Sequence, residues 1–519
     1  MSESTDKYLN EKVVLDFYLE QIANNNIKFL KGRERHVQAV QKNILLLREE
    51  DNMHNKIEIA KTLWKSLFEA AMSYIDPDKR GYDDLFKFFD KYVNFEELIF
   101  ASDSFYRDHT LHCLWVYFLG EYINREKQFE NLTSEYENQK NFYLQLKSSF
   151  EECNVNNMFK EVLHILNSLC NHYEHDDSIR CIAALTHDLG YPLKKVYKIN
   201  KSIKEILPYF SIENYDEFNF SYSNIQQNFI NDFINFMCMH FQFPYNINSE
   251  KHLDIFNKTV EVGIDGNNSQ VAKIKKDIIE QLSEEDLKLL GEIFKLRLDS
   301  YFDNTKHMKY SCDFEEYNHG IMSAFLLCKT LECFRNITFE YLNATEIKWH
   351  TISFPDFMAK QQILQSITNH TSKGYQISSI SDFSSFLILM DELEEFSRIS
   401  RANQNRQYIN EFCKTNIYVE NSTLNVDFIF DNSKLDNLDP ELAFKGRCKR
   451  FLTLFNIPNM SENLKIRLRC IGHLPYDKNI YTLEIGKKHA NILINDEEQN
   501  IPSYLKSTQF YTKEEYSSM

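Results

Sequence analysis

Ile182-Ala183-Ala184-Leu185-Thr186-His187-Asp188-Leu189-Gly190-Tyr191-Pro192 sets a histidine and an aspartate side by side at the end of an apolar stretch. Adjacent residues on a helix point about 100° apart, so both reach one metal ion only near a helix end or at the edge of a site. Gly190 and Pro192 are expected to stop the helix just past the doublet. A helix ending in His-Asp presents two ligands to a cleft between helices, as metal sites in helical bundles do.

Working outward, further segments place His or Asp beside apolar helix surface. They are Arg107-Asp108-His109-Thr110-Leu111-His112-Cys113-Leu114-Trp115-Val116, Asn318-His319-Gly320-Ile321-Met322, and Met390-Asp391-Glu392-Leu393-Glu394-Glu395-Phe396-Ser397-Arg398. Glu346-Ile347-Lys348-Trp349-His350 precedes the last of them. Imidazole and carboxylate together suit Mn, Fe, Co, Ni or Zn, whereas Mg alone prefers oxygen ligands. Arg398, seven residues past Asp391, is expected two turns on along the same helix face, in an ion pair. His172 and His175 read as a polar helix start, capped by Asp177 or Ser178. His240, His307, His370, His473 and His489 belong to no motif.

The order H…HD…H…H…D resembles the HD-domain superfamily of metal-dependent phosphohydrolases, over about residues 100–400. His112 followed by Val116 is similar to that family's first ligand helix, His187-Asp188 to its namesake doublet, and Asp391 to its last ligand. The resemblance implies a mainly α, HD-type helical bundle that hydrolyses a phosphoester of a nucleotide or cyclic nucleotide. It implies that His112, His187, Asp188 and Asp391 hold one divalent metal, and that Asp188 bridges to a second held by His319 and His350. Leu189-Gly190-Tyr191-Pro192 after the doublet lacks the lysine of the HDxGK pattern, which weakens assignment to the cyclic-dinucleotide branch.

In that reading His187 and Asp188 stand at the centre of catalysis, where metal-activated water attacks phosphorus. Lys194, Lys195 and Arg107 add positive charge at the phosphate, and His109, one turn from His112, gives a proton to the leaving group. The alternatives are a nucleoside triphosphate triphosphohydrolase, a non-catalytic nucleotide sensor and a nuclease. Small phosphorylated molecules are the implied partners; self-association into a homo-oligomer is compatible with the sequence.

Composition narrows the field. The 519 residues include only 12 Gly and 9 Pro, well under the roughly 12% these two average together. Tight hairpin turns are therefore scarce, and no GxGxxG or GxxxxGK[ST] loop is present to cradle phosphate. A net charge of −17 disfavours an extended nucleic-acid footprint. No apolar run approaches the roughly 18 residues a membrane span needs. The eleven cysteines form no CxxC and read as reduced thiols in a cytoplasmic protein.

The expected organisation is an N-terminal helical extension over 1–100 and the HD-type domain over 101–408, with polar insertions near 126–157 and 196–310. A small α+β accessory domain over 409–503 and a polar tail over 504–519 follow. In the accessory domain, Thr415–Glu420 and Leu424–Phe430 alternate around an Asn-Ser-Thr turn, a helix runs over Pro440–Phe455, and Ile480–Ile485 and Ala490–Ile494 flank Gly-Lys-Lys-His. Lys445, Arg447, Lys449 and Arg450 form a basic cluster on that helix and read as a solvated face.

Overall fold

The computed structural model describes residues 8–100, 105–152, 170–212, 214–216, 221–242, 249–264, 270–275, 281–293, 299–335, 354–372, 374–396, 398–400, 413–430, 440–472 and 479–500, with residues 163, 167 and 278. His350, His473 and the tail from residue 504 lie outside them. The chain opens with helices α1 (Glu11–Ala23), α2 (Glu34–Glu49), α3 (Met53–Ile75) and α4 (Tyr82–Phe100). The apolar stripe of α3 runs from Ile57 to Ile75 and stops where Asp76-Pro77 begins, because proline disfavours helical backbone at the residue before it.

Strand β1 (Phe105–Arg107) leads into α5 (His109–Arg125), α6 (Glu130–Glu152), α7 (Asp176–Thr186) and α8 (Tyr191–Ile206). Asp108 starts α5, its carboxylate accepting the N–H groups of Thr110 and Leu111 at 3.0 Å, as an N-cap should. Every residue of α5 from His109 to Glu121 is buried, and so is nearly all of α7. Helices buried on all sides belong in the centre of a bundle. α1, α3 and α7 pack around α5.

The region read as a long polar insertion is a mixture of helix and strand. It contains α9 (Asn224–Met237), β2 (Met239–Gln242), α10 (Glu250–Thr259), β3 (Val260–Ile264), β4 (Gln270–Ile274), α11 (Glu284–Ile293), β5 (Asp299–Phe302) and α12 (Asn304–Glu315). The β2–β5 and β3–β4 pairs were hidden from periodicity because each strand is five residues or shorter. The bundle then closes with α13 (His319–Thr330), α14 (Phe354–Asn369) and α15 (Phe383–Leu393). α15 ends at Leu393, and Arg398 lies in β6 (Arg398–Ser400), paired antiparallel with β1. The expectation of Arg398 on the Asp391 helix face is thereby corrected: the strand pair ties the exit of α15 to the entry of α5.

The last part of the chain is a six-stranded sheet in the order β12-β11-β10-β9-β8-β7. Its strands are β7 (Cys413–Glu420), β8 (Thr423–Phe430), β9 (Ile466–Gly472), β10 (Ile480–Gly486), β11 (His489–Ile494) and β12 (Glu497–Gln499). Asn421 and Ser422 both take positive φ in the β7–β8 turn, the geometry that matches strand twist. β8 and β9 run parallel, so a crossover is required, and α16 (Pro440–Leu454) supplies it. Phe444, Cys448 and Phe451 of α16 bury against the apolar sheet face that includes Leu468, Cys470 and Leu483. The protein is therefore a mainly α-helical bundle followed by a small α+β domain.

Asp177 does not cap α7. Its carboxylate accepts Lys28 N–H at 2.8 Å and Arg125 and Arg180 at 2.7 Å each. Both arginines also bind the fully buried Glu121 at 2.7 Å. Burial opposes ionisation of Asp177, but Arg180 and Arg125 outweigh it and hold the carboxyl below the usual range. Removing one charge from such a buried lattice strands the others. Asp177→Asn is expected to cost about 3–5 kcal/mol in urea unfolding at neutral pH. Because the native pKa is depressed, the wild-type advantage is full above about pH 4 and shrinks as pH falls through the native value. A pH-independent difference would contradict this account.

Candidate metal centre

α7 stops at Thr186, so His187 and Asp188 sit in the turn between α7 and α8. Gly190 has φ −81°, an ordinary value, and Pro192 is inside the first turn of α8 rather than beyond a helix end. The glycine serves a different purpose from the expected terminator. A Cβ there would lie 2.4 Å from the His319 carbonyl oxygen and 2.7 Å from Ser323 N. Only glycine lets the doublet turn touch the backbone of α13. Ser323 Oγ accepts the Gly190 N–H and lies 2.7 Å from the carbonyl oxygens of both His187 and His319.

Two trios of ligand atoms result: His112, His187 and Asp188, and Asp188, His319 and His370. Asp188 is common to both. Its Oδ2 is 3.3 Å from His187 Nε2 and 3.7 Å from His112 Nε2. Its Oδ1 is 3.3 Å from His319 Nε2 and 3.5 Å from His370 Nε2. Asp391, near the end of α15, puts Oδ1 2.9 Å from His112 Nε2.

The hydrogen bonds on the far side of three rings fix which nitrogen faces inward. His112 Nδ1–H donates to the buried Glu394 carboxylate at 2.6 Å. His187 Nδ1–H donates to Ala184 O at 2.7 Å, and His370 Nδ1–H to Ile367 O at 2.5 Å. Each Nε2 therefore presents a lone pair to the centre. His112 Nε2 and His187 Nε2 face each other at 3.3 Å, and buried His370 Nε2 has no hydrogen-bond partner. With these rings neutral, three lone pairs and the Asp188 carboxylate oxygens converge on one centre. A divalent cation is the partner that such a donor set fits.

Burial disfavours charge on His187, but Asp188 outweighs it, with help from Cys113, and raises its pKa well above the ordinary histidine value. Burial likewise opposes ionised Asp188, yet His187, His319 and His370 hold it well below the carboxylate range. Burial brings His319 down to about 4, against the pull of Asp188. Asp188 is thus charged and His319 neutral, the states in which both can ligate a cation.

The structure brings His112, His187, Asp188, His319 and Asp391 together. His370 joins them although it belongs to no sequence motif. His370 and His187 share a local signature: each follows directly on a helix end, and its Nδ1–H donates to the carbonyl three residues back. Gly320 permits the approach of α13 to the end of α14, since a Cβ there would lie 2.6 Å from Ile367 O. His109 is buried with Nδ1 2.6 Å from Glu96 of α4, and its ring lies 4.0 Å from Tyr191. Lys194 is exposed in the first turn of α8. Arg107 ends β1, with its backbone opposite Arg398.

No helix among the described residues is long and apolar enough to cross a membrane. No protein-family model, curated protein or solved structure matches the chain.

His370→Ala is expected to weaken Mn2+ binding by at least about tenfold, as measured by equilibrium dialysis and elemental analysis. Unaltered Mn2+ binding in that variant would remove His370 from the centre.

Proposed function

We propose that the protein is a metal-dependent phosphohydrolase of the HD type, acting on a small phosphoester such as a nucleotide or cyclic nucleotide. The observation that carries this reading is the shared carboxylate. Each oxygen of Asp188 faces a different pair of imidazoles, the arrangement expected of a carboxylate between two cations. His112, His187, Asp188 and Asp391 would hold one ion, and Asp188, His319 and His370 the other. His350, the further ligand that the family resemblance implies, lies outside the described residues. Divalent ions bound there supply Lewis acidity towards phosphoryl oxygens and acidify water.

The remaining roles fall to the chain's own residues. His112 is held at Nδ1 by Glu394, which fixes its ring plane and tautomer and leaves Nε2 facing Asp391 Oδ1. His109, with Nδ1 held by Glu96, is positioned to carry a proton to the leaving oxygen from its other nitrogen. Tyr191 lies between His109 and His319, its ring 4.0 and 5.4 Å from theirs, and forms an apolar wall between the proton carrier and the metal ligands. Lys194, and Arg107 just ahead of the α5 cap, would draw the substrate phosphate by charge.

The test is a panel of nucleotide mono-, di- and triphosphates and cyclic nucleotides, incubated with Mn2+, Co2+, Ni2+ or Zn2+. His187→Ala and Asp188→Ala are expected to abolish turnover with helical circular dichroism preserved. His109→Ala is expected to lower kcat about 10²–10⁴-fold while leaving metal content within twofold. Release of tripolyphosphate would identify a triphosphohydrolase. Metal and nucleotide binding without turnover of any substrate would make the chain a sensor and defeat the enzyme reading.

A further inference from the structure

The carboxyl end of α15 carries acids at four of five successive positions, Asp391-Glu392-Leu393-Glu394-Glu395. A helix C-terminus is already the negative end of its dipole, and neighbouring carboxylates there repel one another. Asp391 and Glu394 face the centre and hold His112. Glu392 and Glu395 point elsewhere, to α16 of the sheet domain. Arg450 Nε meets Glu392 at 2.5 Å, and Arg447 Nη1 meets Glu395 at 2.8 Å.

We propose that Arg447 and Arg450 are positioning residues of the metal centre, so that the α+β domain is a working part of the site. The proposal rests on the metal-centre reading above. Both arginines belong to the basic cluster that the sequence suggested was a solvated face; the structure pairs these two with α15 acids and buries Lys449 as well. The Arg447 guanidinium lies 3.5 Å over the Phe428 ring of β8, so it is anchored to the sheet while it holds Glu395. The Glu395 side chain is only 7% exposed, and a carboxylate so enclosed requires a cation. With both outer acids paired, the same short segment directs the Asp391 and Glu394 carboxylates towards His112. Without the arginines, four acids within five residues would splay apart, and His112 would lose the Glu394 carboxylate at Nδ1 and the Asp391 oxygen beside Nε2.

The backbone carries the attachment as well. Ile377, a few residues ahead of α15, exchanges hydrogen bonds with the end of α16: its N–H donates to Leu454 O, and its carbonyl accepts from Asn456, each at 2.9 Å. The helix that bears the arginines is thus held in register with the helix that bears the ligands.

The experiment is Mn2+ titration of the metal-free full-length chain, read by isothermal calorimetry, beside thermal unfolding of the same metal-free samples. Arg447→Gln and Arg450→Gln are each expected to weaken Mn2+ binding about tenfold. Lys445→Gln, whose ammonium pairs with Glu441 on the same helix, is the control and should bind as wild type. Arg450→Glu should lose affinity, and Glu392→Arg combined with it should restore binding to within about threefold of wild type. Should Arg447→Gln fail to fold, the half-exposed Arg450–Glu392 charge exchange decides alone. A lowered melting temperature with unaltered Mn2+ affinity would reduce the arginines to structural contacts and overturn the proposal. Absence of Mn2+ binding in the wild-type chain would instead remove the metal centre itself, and the proposal with it.

Discussion

One buried carboxylate faces four imidazoles with two oxygens, and much of the bundle is arranged around that imbalance. His112, His187 and His370 spend their Nδ1 protons on Glu394, Ala184 O and Ile367 O. What remains inside is a set of lone pairs around Asp188. In an apolar interior, acceptors facing acceptors are unfavourable unless a proton or a cation lies between them. The raised pKa of His187 is the proton's version of that remedy, and a divalent ion is the other. Local rules of polar satisfaction are broken here, where a working site is expected to break them.

The scaffold tolerates this because the ligands come from helix ends held at close range. His187 and His370 both follow terminal helical residues, where carbonyls lack intrahelical partners and can take an imidazole proton. Gly190 and Gly320 remove the side chains that would keep α13 from the doublet turn and from the end of α14. The N-terminal helices close the other side. Trp64 of α3 donates to Leu185 O at 2.7 Å, and Tyr92 of α4 to Asp188 O at 3.4 Å. Residues that read as an N-terminal extension therefore support the doublet directly, and α4 also supplies the Glu96 partner of His109.

The same dependence appears at the opposite end of the chain. α15 brings the Asp391 and Glu394 carboxylates to His112, but its acidic terminus is unfavourable in isolation. Its return strand β6 pairs with the strand that feeds α5, and α16 brings two arginines to its outer acids. Elements from the beginning, middle and end of the sequence thus meet within one centre, and none of them could form it alone.

The sequence by itself determined what is local. A doublet at a helix end is visible in eleven letters, as are the apolar stripe of α3, its stop at Asp76-Pro77, and the two-residue β7–β8 turn. His112, His319 and Asp391 were legible because they lie on strongly apolar helices in the order that the doublet suggested. Tertiary structure alone decided the rest. His370 has the same local geometry as His187, yet nothing near it in sequence says that α13 will pack against the end of α14. Glu96 reaches His109 across thirteen residues, and Arg398 left its expected helix because β1 offered it a strand partner. Periodicity reports which face of an element is buried. Which two buried faces meet depends on packing among all of them, and that is where the second half of the centre was decided.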